Sequence, residues 1–300
     1  MIAINGQKIN IEHFPDGTQR INNLWAGDFV DGEKIEVKWT YESEEELISL
    51  IYIVNHLRET IPLKVKNIPF VLYMPYLPNA RMDRTKSFSE TFTLKYFCQI
   101  INSLKFDAVK IFDPHSNVGT ALIDNVFVVS PEQYIQYAIN DIEGVDIDGG
   151  KEYGGKTVIY FPDEGAMKRY KDMSCFKGHE IIYGMKEREW STGQIKGIKI
   201  LDQDGHDIGD YLAHSRIEGR VILMVDDIIS YGGTLAYSAD SIKKMGASAI
   251  YAYASHAENS VLDEEKGTLL KRLNDGTVDE IFTTNSLYTG EHPKITAFVV

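Results

Sequence analysis

Two adjacent acids, Asp226 and Asp227, are followed closely by Ser230, Tyr231, Gly232, Gly233 and Thr234. Carboxylates suit sugar hydroxyls or a metal ion. A hydroxyl-rich turn with two glycines suits a phosphate, because glycine lets backbone N–H groups come close to an anion. The apolar run Val221–Val225 precedes the acids, and Leu235, Ala239, Ile242 and Met245 recur after them at helical spacing, with Gly246 as a C-cap. The stretch reads as a buried strand, a turn and a helix. It sets a phosphate at a helix N-terminus, where unpaired N–H groups carry partial positive charge. The acids stand at the carboxyl end of the strand, where open α/β sheets bind ligands. The competing reading is an ordinary strand-to-helix turn with a solvated acidic pair.

Other chemistry-bearing residues also follow apolar runs. Ile68–Met74 leads into PYLPNARMDRTK, which gathers Arg81, Arg84 and Lys86 around Asp83 in an otherwise acidic chain. A basic cluster there is a candidate anion site, and a solvated loop is the alternative. Ala108–Phe112 delivers Asp113, Pro114 and His115, a pair suited to a metal or a phosphate. Thr157–Phe161 delivers Asp163 and Glu164 ahead of a glycine. The segment 185–193, with Lys186 and Arg188, is charged and weakly patterned, which predicts a mobile loop of the kind that closes over active sites. Near the start, His13-Phe14-Pro15-Asp16-Gly17 is a tight turn with one aromatic. Gly119-Thr120 stands at the same offset from Asp113 as Gly233-Thr234 from Asp227, an echo that fits two related halves.

The elements that must position these residues alternate. Short apolar strands and amphipathic helices succeed one another, which indicates an α/β protein with mainly parallel sheets. Ser43 with Glu46 reads as a capping box opening a helix whose face is Leu47, Leu50, Ile51, Val54 and Leu57. The chain has 300 residues, 43% hydrophobic and 25% charged, enough for two domains. The Asp-, Glu- and Gly-rich stretch predicts domains at 1–142 and 157–300 joined by a linker at 143–156, with the last strand, 295–300, packing on the N-terminal domain. A formal net charge of -13 opposes binding to nucleic acid or an anionic membrane, so a small anionic substrate needs a locally basic site. The two cysteines, Cys98 and Cys175, lie in no paired metal motif, and Cys98 falls within a helical pattern as a core residue. Neither a signal peptide nor a membrane-spanning run is expected, and a reduced, cytoplasmic setting is.

Taken in order, these segments resemble the ribose-phosphate pyrophosphokinase (PRPP synthase) family over most of the chain. HFPDG at 13–17 is similar to the family's FSDGE turn, PYLPNARMDRTK to its PYFGYARQDRK loop, and IFDPHSNVGTALIDNV to its DLHxxQIQGFFDIPVDNL segment. FPDEGA resembles SPDxGG, MKER the DKRR start of the catalytic flexible loop, VDDIISYGGTL the ribose-phosphate loop, and YAYASH the strand ending in ATH. The resemblance implies two phosphoribosyltransferase-like domains, the first on the ATP side. It implies transfer of the β,γ-diphosphoryl group of ATP, with Mg2+, to the 1-hydroxyl of ribose 5-phosphate, giving PRPP and AMP. Carried over by position, Asp226 and Asp227 hold ribose hydroxyls, and Ser230, Tyr231, Gly232, Gly233 and Thr234 cradle the 5-phosphate. His115 and Asp163 hold or orient magnesium. Arg81, with Asp83, Arg84 and His115, meets ATP. Phe14 and Asp16 contact adenine from a neighbouring subunit of a homo-oligomer, a dimer or hexamer. Lys186 and Arg188 are catalytic, stabilising charge on the transferred group.

The chain departs from that pattern at several positions. The family's DTGGT or DTAGT is Ser230-Tyr231-Gly232-Gly233-Thr234 here, so an acid becomes a hydroxyl and a small residue becomes a bulky ring. Thr18, Met82 and Pro114 replace a Glu, a Gln and a Leu, and KER replaces KRR. Tyr231 opens a second expectation, the same transfer onto a larger 5-phosphoribosyl compound such as ADP-ribose. A non-catalytic regulatory binding protein of the same fold is a third. A nucleobase phosphoribosyltransferase would share the DD…GGT loop but has no reason to carry the ARMDR and DPH segments.

Overall fold

The computed structural model describes residues 1–30, 33–144, 157–188 and 195–300. The chain divides into two compact units, Met1–Ser130 and Pro131–Val300. In the first, β1 (Ile2–Ile4) pairs with β2 (Gln7–Lys8), and β3 (Ile11–His13) forms a separate hairpin with β4 (Gln19–Ile21). β5 (Ile35–Trp39), α1 (Glu46–Thr60), β6 (Phe70–Met74), α2 (Thr93–Ser103), β7 (Ala108–Phe112), α3 (Asn117–Leu122) and β8 (Val126–Val129) follow. The sheet order is β2-β1-β5-β6-β7-β8, with β5 to β8 parallel. A parallel sheet with helices on it buries its strands, which is why Phe70–Met74 reads as an unbroken apolar run.

α1 buries Leu50, Ile53, Val54 and Leu57, and α2 buries Leu94, Phe97, Cys98 and Ile101, into one core with Trp39, Leu72 and Ile111. Burying each such aliphatic side chain contributes roughly 1.5–3 kcal/mol, so packing holds these helices more than intrinsic propensity does. The capping box expected at Ser43 does not form. The Glu46 carboxylate accepts instead from Trp39 Nε1 and from the Glu42 N–H, both at 2.9 Å, and the helix has no side-chain cap.

In the second unit the elements are α4 (Glu132–Glu143), β9 (Thr157–Phe161), α5 (Glu164–Tyr170), β10 (Glu180–Arg188), β11 (Ile195–Asp202), α6 (Gly209–Ile217) and β12 (Val221–Ile229). α7 (Gly233–Lys244), β13 (Ala249–Ala257), α8 (Thr268–Asn274), β14 (Glu280–Thr284) and β15 (Ile295–Phe298) complete it. The sheet order is β11-β10-β9-β12-β13-β14-β15, with only the β10–β11 pair antiparallel. The fold is thus α/β, with two mainly parallel sheets flanked by helices.

The boundary between the units differs from the sequence reading. α4 groups with the second unit, ahead of the boundary expected at 142, because its aromatic face meets the last strand. Tyr134 stacks on Phe298 at 6.0 Å between ring centroids, and Tyr137 lies 5.8 Å from the same ring. β15 itself pairs with β14 in the second sheet. The expected linker lies largely outside the described residues.

Both cysteines are buried, and burial pushes each thiol up to about 12, which removes them as nucleophiles at neutral pH. No helix among the described residues is long and apolar enough to cross a membrane.

Candidate active site

In the second unit β12 does not stop at Val225. It runs through both acids to Ile229, so Asp226 and Asp227 are strand residues. The Asp227 N–H donates to Asp226 Oδ1 at 2.9 Å. Asp227 is buried at 6% exposure, and its Oδ2 lies 3.2 Å from Nη1 of Arg169 on α5. β9 is the parallel neighbour of β12, so Asp163, just past the end of β9, emerges at the same edge. Its Oδ1 accepts the Ala166 N–H at 2.9 Å and caps α5. Burial first, then the charges of Asp227 and Asp163, hold the Asp226 carboxyl well above the usual carboxylate range. The charges of Asp227 and Asp163 thus both reach Asp226, and Arg169 pairs with Asp227.

Such a cluster is relieved by donors or by a cation. Sugar hydroxyls would donate to it, and so would the waters of a Mg2+ ion, which binds through one or two carboxylates and needs no third. The linkage has a definite sign. Because the folded-state pKa of Asp226 is raised, its contribution to stability is complete below the ordinary aspartate range and is lost as pH rises through the folded value. At neutral pH without metal, Asp226→Asn is therefore expected to raise Tm. Mg2+ should then stabilise the wild type more than the variant. A lower Tm for Asp226→Asn in thermal melts would contradict this account of the cluster.

The turn after β12 is held from two sides. The Tyr231 carbonyl accepts the N–H groups of Thr268 at 2.9 Å and Leu269 at 3.2 Å, and Thr268 Oγ1 at 2.8 Å. Gly232 has φ +77° and caps α7, and a Cβ there would lie 2.3 Å from Leu269 Cβ. Only glycine fits this conformation and this approach. Gly246, with φ +87°, ends the helix as expected. Tyr231 keeps 40% exposure. The Ser230 hydroxyl donates to Glu258 Oε2, 2.6 Å away, from the residue that follows β13.

In the first unit the basic loop follows β6. Arg81 is exposed, and Arg84 Nε donates to Asp83 Oδ1 at 3.0 Å. Burial pushes the Asp83 carboxyl up, but the Arg84 hydrogen bond and the charges of Arg84 and His115 outweigh it and leave it below the usual range. His115 follows Asp113, a buried non-glycine residue at φ +38° whose N–H donates to the Val129 carbonyl at 3.1 Å. A non-glycine residue at positive φ at a strand's carboxyl end is strained, and such strain gathers at functional sites. The echo at Gly119 has a packing explanation: a Cβ there would lie 2.4 Å from Leu77, inside α3. Phe14 and Asp16 form the tip of the β3–β4 hairpin. Phe14 is 49% exposed, and Asp16 Oδ1 accepts from both the N–H and the hydroxyl of Thr18, at 3.0 and 2.7 Å.

Lys186 and Arg188 were expected in a mobile loop. Their backbones instead continue β10, with Lys186 opposite Ile198 and Arg188 opposite Ile195 in an antiparallel ribbon with β11. β10 leaves its other neighbour after Tyr183, opposite Phe161, and a bulge falls between Glu187 and Arg188. The rest of that expected loop, 189–193, lies outside the described residues.

The structure brings Asp163, Asp226 and Asp227 together, and separately Asp83, Arg84 and His115. His115 and Asp163, both expected to hold or orient magnesium, belong to different units. Sequence reasoning missed Arg169 and Glu258. Arg169 carries a readable signal, a cation in the helix that opens at Asp163, whereas Glu258 becomes a neighbour of Ser230 only once β13 pairs with β12.

No protein-family model matches the chain. A ribose-phosphate pyrophosphokinase from Pyrococcus abyssi is 27% identical over 294 residues, covering 96% of this chain and 88% of that one. One from Thermococcus kodakarensis is 26% identical over 284 residues, covering 94% and 86%. The crystal structure of a phosphoribosylpyrophosphate synthetase from Mycobacterium smegmatis aligns with a TM-score of 0.69 at 16% identity, covering 97% of this chain and 86% of that one, a likeness of fold.

Proposed function

We propose that this chain, a divergent relative of the ribose-phosphate pyrophosphokinases, is a Mg2+-dependent diphosphotransferase that moves the β,γ-diphosphoryl group of ATP to the 1-hydroxyl of ribose 5-phosphate. The acceptor's O1 attacks the β-phosphorus and the bond from that phosphorus to the α,β-bridging oxygen breaks. AMP leaves, and the hydroxyl proton passes to solvent. What supports this reading most is the placing of Asp163, Asp226 and Asp227 at the carboxyl ends of two neighbouring parallel strands, ahead of a glycine-bearing turn at the N-terminus of α7.

In this reading Asp226 and Asp227 accept from ribose hydroxyls, and Ser230 to Thr234 take the 5-phosphate on backbone N–H groups. Asp163 and His115 would hold magnesium, which when bound offsets phosphate charge. Arg81, with Asp83, Arg84 and His115, orients the ATP phosphates, arginine suiting bidentate contact. Phe14 and Asp16, on an exposed hairpin tip, receive the adenine of a neighbouring subunit's ATP in a homo-oligomer. Lys186 and Arg188 stabilise the group in flight. Phosphoryl transfer needs such positioning and charge neutralisation more than covalent help.

A second reading, the same transfer onto a larger 5-phosphoribosyl acceptor such as ADP-ribose, is favoured by one observation. The Tyr231 ring stays 40% exposed at the phosphate turn instead of packing inward, and so offers a surface to a group attached there. The test is AMP release from ATP and Mg2+ with either sugar. AMP that appears only when an acceptor is present supports transfer, and the preferred sugar separates the two readings. No AMP with either sugar contradicts both.

A further inference from the structure

Glu258 stands immediately after β13, one strand over from the acidic pair. It is tied to the phosphate turn twice. Its N–H donates to the carbonyl of Ile229, the last residue of β12, at 2.8 Å. Its Oε2 accepts the Ser230 hydroxyl at 2.6 Å and the Ser260 hydroxyl at 3.1 Å. The entry to the turn is therefore fixed by Glu258, while its middle is fixed by Thr268 and Leu269 through the Tyr231 carbonyl. The turn itself has Ser230 where the resembling loops have an acid.

We infer that Glu258 is a positioning residue for the acceptor's phosphate, supplying from the neighbouring strand the carboxylate that Ser230 lacks. The role follows from geometry. A hydroxyl by itself rotates among partners, but one donating at 2.6 Å to a carboxylate has its rotamer set, since hydrogen bonds to ionised groups are the stronger class. With Ser230 set, the backbone N–H groups from Tyr231 to Thr234 are presented in one arrangement before the ligand arrives, and less ordering is left for binding to oppose. Coulomb repulsion limits where the carboxylate can stand. A second acid in the turn would repel both Glu258 and the bound phosphate, so one carboxylate here excludes another. The inference rests on the proposed function for the identity of the ligand, though not on turnover.

It makes a prediction that a merely structural role does not. Ser230→Asp should weaken acceptor binding in the wild type, where it sets two carboxylates together. It should restore binding in the Glu258→Ala background, where it returns the only one. Calorimetric dissociation constants for ribose 5-phosphate and for ADP-ribose are read on the four members of this cycle. Glu258→Ala alone should raise Kd for whichever sugar binds by about tenfold, the scale of one hydrogen bond to a charged group, and leave the Kd for ATP unchanged within about twofold. Ser230→Asp should cost about tenfold in the wild type and recover most of the loss in the variant, a reversal of sign between backgrounds. If Glu258→Ala fails to fold, Glu258→Gln, which keeps the acceptor toward Ser230 but removes the charge, replaces it in the same cycle.

An effect of Ser230→Asp with the same sign and size in both backgrounds overturns the inference. So does an equal loss of ATP and sugar binding. AMP release measured on the same wild-type preparation reports separately on the proposed transfer, so absent turnover with an intact sign reversal would remove that reading and leave the role of Glu258 standing.

Discussion

Lys186→Ala is expected to lower kcat about a thousandfold, with Kd for ATP and for the acceptor changed by less than about threefold. The size follows from the chemistry. In the proposed transfer, charge would move onto the leaving AMP oxygen and across the transferred group only as the bond breaks, so a cation that meets it there would act on the transition state more than on bound substrate. The backbone geometry fits that assignment. Beyond Tyr183 the β10–β11 ribbon has no further partner along β9, and a bulge interrupts it between Glu187 and Arg188. Bulges of this kind re-aim residues next to active sites. The ribbon supplies register for Lys186 and leaves the ribbon's end free of the main sheet. Rapid-quench kinetics separate the chemical step from binding. A large rise in Kd with kcat nearly intact would reassign Lys186 to anchoring ATP.

Gly232→Ala should be the most damaging small substitution in the phosphate turn. The residue is at φ +77°, where an L side chain is strained, and its Cβ would lie 2.3 Å from Leu269 Cβ. Strain and overlap together are expected to cost about 2–4 kcal/mol of stability. Because Leu269 is fixed in α8 and Tyr231 is tied to the start of that helix, the relief available is a shift of the turn itself. A displacement on the order of 1 Å costs about a hundredfold in kcat/KM when it misplaces a bound phosphate. Gly233→Ala is the stability control, since its Cβ would meet nothing closer than Thr268 Oγ1 at 3.8 Å, and its Tm should match the wild type. Equal Tm for the two variants in thermal melts would show that the Leu269 contact does not constrain the turn.

Much of the site was legible in the chain because its signals are local. Val221–Val225 followed by two acids, two glycines and a helical repeat needs no tertiary knowledge to be placed at a strand's carboxyl end, and β12 and α7 lie there. What the sequence left out depends on which strands become neighbours. Glu258 belongs to a segment with no motif of its own, and it meets Ser230 only because β13 pairs with β12. The strand β12 runs past Val225 because in-register pairing continues to Ala257, which overrides the low strand propensity of two aspartates. The segment 185–188 read as a loop because its charged residues carry no apolar alternation, the signal by which a strand is read from sequence. The capping box failed for a similar reason: Trp39 and the Glu42 N–H, distant or non-helical partners, claim the Glu46 carboxylate.

In the proposed function, Asp163, Asp226 and Asp227 and the turn before α7 would hold a sugar phosphate, with hydroxyls at the acids and the phosphate at the helix. That assignment fixes which atom of the acceptor reacts. Phosphorus NMR of the product formed from ATP, Mg2+ and an acceptor sugar tests it directly. An intact diphosphoryl group on C1 of the sugar, formed in equal amount with AMP, is expected. ADP with a singly phosphorylated sugar, or ATP hydrolysis with the sugar unchanged, would contradict it.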